Sequence, residues 1–215
     1  MDALAGSPGR GVLVPNGVDQ ERFQPRPRQS ARDELGLDAA APVVLVVGHL
    51  IARKDPQLAL EAAAAMGAVP PTVVFVGTGA LEPVLRARAA ELGLAEHVRF
   101  EGALPPERLE RWYAAADCLL LCSHREGRPN VVIEALACGR PVVATRAGGT
   151  AELLAGIDGA LADSRDPAEL GRRVSAVLES PPDPDALRAQ VAHLSWEASA
   201  EILEELLRSA LEDAA

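Results

Sequence analysis

The chain has 215 residues, 48% of them hydrophobic, which suits one domain with a real core and some peripheral helix. Its formal net charge of -10 argues against a general nucleic-acid surface or an anchor to an anionic membrane. Three cysteines make no disulfide framework, and the longest apolar run, residues 43–52, is too short to span a bilayer, so a cytoplasmic protein is expected.

Residues 1–11 are small and polar, show no signal-peptide pattern, and read as a flexible start. Val12-Leu-Val predicts a short strand ending in a Pro15-Asn16-Gly17 turn. A Pro/Arg-rich connection follows over 22–30, then a short helix over 31–37. From there strands and helices alternate. Continuous apolar runs over 42–48 and 72–77 read as strands covered on both faces. Further strands are expected over 97–100, 117–122 and 141–145, with a sixth over 159–162. Helices are expected over 55–66, 81–92, from Pro105-Pro106 onward, over 129–138, and briefly over 148–154. From Asp166 the chain is helical, interrupted at Pro181-Pro182-Asp-Pro184.

Such alternation implies right-handed crossovers and an open parallel sheet flanked by helices, an α/β Rossmann-like fold. Ligands of these sheets bind beyond the carboxyl ends of the strands. The loops after Gly48, Gly77, Phe100, Cys122 and Thr145 therefore form the expected site. In the last segment Ile202, Leu203, Leu206, Leu207 and Leu211 share one helical face, a stripe that needs a partner surface.

The most informative stretch is Ser123-His-Arg-Glu126-Gly127-Arg128-Pro129-Asn130-Val-Val-Ile-Glu134-Ala-Leu-Ala-Cys138-Gly139-Arg-Pro141-Val-Val-Ala-Thr145. Pro129 fits a first helical turn, and Gly139-Arg-Pro141 ends the helix. On one unbroken helix the two glutamates would stand roughly 80° apart, but the Gly127-Arg128-Pro129 break releases Glu126 into a loop. Two glutamates alone are usually solvated acids. Glu134, however, is flanked by Val131, Val132, Ile133, Ala135 and Leu136, where a carboxylate needs partners. Carboxylates accept from sugar hydroxyls and helix N-termini accommodate phosphate, so the stretch suggests a nucleotide-sugar pocket.

Lys54 is the sole lysine, and Asn16 and Asn130 are the only asparagines. Gly48-His49-Leu-Ile-Ala-Arg53-Lys54-Asp55 places basic residues beyond a strand end and before a helix, as a diphosphate requires. Gly77-Thr78-Gly79 is a lone Gly-x-Gly, with Glu82 where a dinucleotide fingerprint would have its third glycine, and reads as a tight loop near the ligand. Cys118, Cys122 and His124 could be imagined as metal ligands, but the two cysteines read as buried small residues and no metal site is expected. No nucleophile elbow supports Ser-His-Asp hydrolysis.

Residues 125–145 resemble the Glu-x7-Glu segment of retaining GT-B glycosyltransferases, the group 1 or family 4 transferases. Close versions read Arg-Glu-Gly-x-Pro-Asn-Val-x-x-Glu-Ala-Leu-Ala-Cys-Gly-x-Pro-Val-Val-Ala-Thr. Val14-Pro-Asn-Gly-Val-Asp19 with Phe23 resembles the start of that family's C-terminal domain, so the likeness spans roughly residues 12–212. It implies the donor-binding C-terminal half of a GT-B enzyme over 12–194, with residues 195–215 forming a helix that packs on an N-terminal domain. Glu126 would accept from donor-sugar hydroxyls, and the Gly127 and Arg128 backbone would approach the sugar or diphosphate, with Pro129 and Asn130 starting the helix beside it. Glu134 would hold the ribose hydroxyls. Lys54 matches the family's lysine. His49 stands where the family has arginine, a departure for which Arg53 could compensate. The Gly48, Gly77 and Gly79 loops would lie near the nucleotide, and the backbone around Phe100 would receive the base. Catalysis would rest on Lys54, Arg53 and Glu126.

The expected function is metal-independent sugar transfer from a nucleotide-diphosphate sugar, UDP-linked, without a further cofactor and inactive as this chain alone. A non-catalytic nucleotide-sugar module, half of a split enzyme, and a GT-B epimerase are the alternatives; the Glu126-Gly-x-Pro pattern argues against the last. Expected partners are the nucleotide sugar and an N-terminal domain or partner subunit. A homodimer through the C-terminal helix is an alternative. No nucleic acid or strong membrane anchor is expected.

Overall fold

Aliphatic and β-branched runs become central strands when helices can cover both faces. The computed structural model of the protein describes residues 14–67 and 69–212, in which six such runs form one sheet. These are β1 (Val43–Val47), β2 (Thr72–Val76), β3 (Val98–Phe100), β4 (Cys118–Leu121), β5 (Val142–Thr145) and β6 (Leu161–Ala162). They lie in the order β3-β2-β1-β4-β5-β6, every pair parallel. Leu45 stands opposite Val74 on one side and Leu119 on the other. The expected Rossmann-like sheet is therefore the observed one.

The helices are α1 (Arg28–Leu35), α2 (Pro56–Ala64), α3 (Glu82–Glu91), α4 (Pro106–Ala115), α5 (Asn130–Ala137), α6 (Thr150–Leu153), α7 (Pro167–Glu179), α8 (Pro184–Val191) and α9 (Trp196–Glu212). Successive strand residues point to opposite faces, which divides the core in two. Val43, Leu45, Leu119 and Leu121 pack with Trp112, Tyr113, Ile133, Leu136 and Leu187, from α4, α5 and α8. Val44, Val73, Phe75 and Leu120 pack with Leu58, Leu60, Leu85, Leu170 and Val174, from α2, α3 and α7.

The sheet's order reverses direction at β1. The chain runs outward through β2 and β3, then returns to lay β4 on the other side of β1. The two connections that diverge there, after β1 and after β4, mark the switch point at the strands' carboxyl ends where sheets of this kind bind ligands.

Some boundaries differ from the sequence reading. Helix α1 begins at Arg28, three residues earlier than expected, because Pro27 stands just outside the helix, where a missing N–H is harmless. It stops at Gly36, whose φ of 61° is the left-handed cap that glycine adopts freely. Of the expected first strand, Val12 and Leu13 lie outside the described residues, as does the stretch 1–11. Val14 itself is in no strand, and residues 14–19 make only an isolated parallel bridge between Val18 and Ser195.

That bridge anchors the start of α9. Ser199 Oγ donates to Pro15 O at 2.7 Å, and a side chain at Gly17 would strike the backbone of Ser195 and Trp196. Further along, Ile202 and Leu206 are half-buried while Leu203, Leu207 and Leu211 are exposed. Among the described residues no helix is long and apolar enough to cross a membrane.

Candidate functional site

The loop after β1 folds into a 3₁₀ turn, Ala52–Lys54, before α2. The loop after β4 carries Ser123 through Pro129 into α5. These two loops meet. Lys54 Nζ donates to Glu126 Oε1 at 2.6 Å, and Ser123 Oγ donates to the same oxygen at 2.5 Å. The Glu126 side chain is 6% exposed and that of Lys54 18%, so the pair is largely shielded from water. The backbone reinforces it: His124 N donates to Arg53 O, and Arg53 Nη1 to Arg125 O. Arg53 and His49 are otherwise exposed at the rim.

The glycines have a packing reason to be there. A Cβ on Gly77 would sit 2.0 Å from Gly48 O, and one on Gly79 would sit 2.3 Å from Leu50 O. The loops after β1 and β2 thus touch backbone to backbone, joined by Leu50 N to Thr78 O and Leu81 N to Leu50 O. Gly148 and Gly149, in the expected loop after Thr145 but not singled out by the sequence, do the same for Glu126. A Cβ on Gly148 would lie 1.9 Å from Glu126 O, and Gly149 N donates to Gly127 O. The Gly-Gly pair just past β5 was the available signal.

Glu134 stands elsewhere. Pro129 is the residue before α5, Asn130 its first residue, and Glu134 one turn further on the same face. Both side chains open onto a cavity of about 680 Å³, walled also by Asp19, Phe23, Pro106 and Trp196. Asn16 Nδ2 donates to Asn130 Oδ1 at 2.8 Å, so the chain's only two asparagines bond each other at this mouth. Glu134 Oε2 accepts from Tyr113 Oη at 2.8 Å. Burial pushes the Glu134 carboxyl above the ordinary glutamate range, and the Tyr113 hydrogen bond opposes that rise. Sequence reasoning missed Tyr113, whose aromatic body is core and whose hydroxyl alone reaches the site. A cavity of similar size along α7, about 650 Å³, shares no residue with these loops.

Tyr113→Phe is therefore expected to raise the Glu134 carboxyl further. It should also destabilise the fold by about 1–3 kcal/mol, since a half-buried acceptor loses its donor. A ¹³C NMR titration of glutamate carboxyls and a denaturant series check the two effects. The sign follows from linkage. A carboxyl raised on folding binds its proton more tightly in the native state, so its contribution falls as pH rises from the ordinary glutamate value through the raised one. The tyrosine-free variant should lose stability over a wider span of rising pH.

The remaining expected residues are accounted for. Phe100 stacks on Phe75 at 5.1 Å, and the Arg86 guanidinium lies over the Phe100 ring at 4.3 Å. Its ring is thus taken up in packing, while Gly102 O behind it accepts from Gly77 N. Arg128 is half-buried and its Nε has no protein partner. Cys118 and Cys122 are buried, as expected of structural thiols; burial pushes both up, Cys118 to about 12. Among the described residues no cluster of three or more His, Cys, Asp or Glu could hold a metal ion.

Comparison with known proteins follows the same lines. The family model described as Glycosyl transferases group 1 matches residues 27–194. A D-inositol 3-phosphate glycosyltransferase from Thermobispora bispora is 38% identical over 221 residues, covering 95% of this chain and 52% of the relative. Sucrose-phosphate synthase from Thermosynechococcus elongatus superposes with a TM-score of 0.87 at 29% identity, over 96% of this chain and 54% of that one. Anabaena Alr3699/HepE, solved in complex with UDP and glucose, superposes with a TM-score of 0.78 at 26% identity, over 90% of this chain and 55% of that one. The chain spans about half the length of the curated relatives it matches.

Proposed function

We propose that this chain, which belongs to the glycosyl transferases group 1 family, forms the donor-binding half of a retaining glycosyltransferase using a UDP-linked sugar. The observation that carries this reading is the Lys54–Glu126 pair, 2.6 Å apart where the loops after β1 and β4 meet. A cation and an acceptor side by side beyond the strand ends suit a ligand that joins a diphosphate to a hydroxylated ring. Lys54 and the rim residue Arg53 face the diphosphate, and the N-terminus of α5 adds backbone donors. Glu126 accepts from the sugar. Glu134, held by Tyr113, accepts from the ribose hydroxyls, each such charged hydrogen bond contributing about 1.5–3 kcal/mol.

On this reading the leaving diphosphate is stabilised electrostatically by side-chain cations, and no metal or cofactor is assigned. Loss of transfer in a chelator would count against that assignment. Both glutamates bind, and neither attacks. Retention of configuration is read from the anomeric proton of the product by NMR.

Calorimetric titration of the chain with UDP and GDP tests the donor site. UDP is expected to bind, and Glu134→Ala to weaken it about 10–100-fold. A folded chain that ignores both nucleotides, or binding indifferent to Glu134→Ala, would sink the reading. The relatives carry about as much sequence again, and acceptor recognition belongs to that other half in this proposal. The exposed leucines of α9 are its docking face. A transfer assay with and without an N-terminal half separates an incomplete enzyme from a non-catalytic nucleotide-sugar module.

A further inference from the structure

Lys54 and Glu126 come from loops 72 residues apart, and something must hold those loops in register. Arg165, in the connection between β6 and α7, reaches both. Its Nη1 donates to Ser123 O at 3.1 Å, and its Nη2 to Cys122 O at 2.8 Å and to Asp55 Oδ2 at 2.5 Å. Cys122 and Ser123 directly follow β4 and lead into Glu126, and Ser123 also donates its hydroxyl to that glutamate. Asp55 directly follows Lys54.

Asp55 is also the one non-glycine among the described residues with positive φ, at 46°. A left-handed conformation in a residue with a Cβ persists only where its surroundings impose it. Here Oδ1 accepts from Leu58 N at the start of α2, and Oδ2 is held by Arg165, with His124 Nε2 3.3 Å away. The bend at Asp55 turns the chain sharply between Lys54 and α2, so it sets where the lysine side chain starts.

We propose that Arg165 is a positioning residue of the donor site. Its guanidinium locks Asp55 to the end of β4 and so fixes Lys54 against Glu126. This deepens the donor-site reading and rests on it for the effect on nucleotide, though not for the effect on Lys54 itself. The Arg165 side chain is 34% exposed, and ion pairs at that exposure add little to global stability. Its main influence is local. A planar fork presents its donors to two carbonyls and a carboxylate in one fixed geometry, whereas an ammonium is a compact point charge on a flexible stem.

Because Lys54 is the sole lysine, its amine can be followed by chemistry alone. Reductive methylation, with peptide mass mapping to exclude the α-amino group, is carried out on wild type, Arg165→Met and Arg165→Lys without nucleotide. Arg165→Met is expected to raise the Lys54 methylation rate several-fold, with Arg165→Lys between, while thermal unfolding changes little. UDP titration of wild type, Arg165→Met, Lys54→Met and the double variant completes the test. Arg165→Met is expected to weaken UDP roughly tenfold when Lys54 is present and scarcely at all when it is methionine. Unchanged Lys54 reactivity in a folded Arg165→Met, or the same loss of affinity in both backgrounds, overturns the positioning role. Raised reactivity with a wild type that does not bind UDP retains the positioning of Lys54 and rejects the donor site.

Discussion

Lys54→Met is expected to lower the rate of sugar transfer by about 10²–10³-fold, the usual effect of removing one donor aimed at charge that develops in a transition state. Methionine keeps an unbranched stem of similar length, so the packing of the 3₁₀ turn Ala52–Lys54 survives while the charge is lost. Two effects combine. On the proposed reading the departing diphosphate loses a cation, and Glu126, 6% exposed, keeps only the Ser123 hydroxyl among its two side-chain donors. UDP affinity should fall less, by about 10–100-fold, since one charge-assisted hydrogen bond is removed from the ground state. A kcat effect larger than the effect on Kd is the signature of a group used most in the transition state. Lys54→Arg should recover only part, because a fork does not occupy the place of a point charge. Single-turnover transfer with a UDP-sugar, with an N-terminal half supplied, measures the rate, and calorimetry with UDP measures the affinity. Equal rates in wild type and Lys54→Met would remove this residue from the chemistry.

The second large effect concerns folding and lies at the opposite end of the sheet. Asp117, just before β4, accepts from Arg32 Nη2 at 2.5 Å and from Val43 N at 2.7 Å, and it pairs with Arg28. Arg32 is only 1% exposed, and it further donates to Ala115 O and Ala39 O. The carboxylate thus ties α1, the start of β1 and the start of β4 together. Asp117→Ala strands a buried guanidinium without its counter-charge, which costs about 3–5 kcal/mol. Arg28→Ala removes only the half-exposed partner and should cost under about 1 kcal/mol. Urea unfolding curves should show a lower midpoint for Asp117→Ala with an unchanged slope. A loss below about 1 kcal/mol would mean that the pairing only offsets its own desolvation.

The sheet was legible because its signal is local. Residues 43–47 and 73–76 are apolar at every position, as a strand covered on both faces requires, and the helix between them begins at Pro56. The Glu126-to-Thr145 segment was legible for the same reason: loop, helix start, glutamate and next strand are contiguous. Less local features escaped. Helix α1 was started late because a proline-rich connection conceals its first turn. Gly148 and Gly149 look like ordinary loop glycines until the Glu126 backbone is seen against them. Tyr113 and Arg165 lie 21 residues before Glu134 and 110 after Asp55, and no spacing rule links them.

From the sequence alone came the α/β alternation, the parallel sheet, and the residues that carry charge or hydroxyl-accepting oxygens at its strand ends. These follow from neighbours a few residues apart, where periodicity and turn chemistry operate. The tertiary structure decided which of those residues meet. β4 lies beside β1 only because the chain turns back past β2 and β3, and that adjacency brings Lys54 onto Glu126. It also sets Glu134, on the same short segment as Glu126, under the hydroxyl of Tyr113 and at the wall of a cavity. Crossover connections set these distances, and a crossover depends on the packing of whole helices against the sheet rather than on any local pattern.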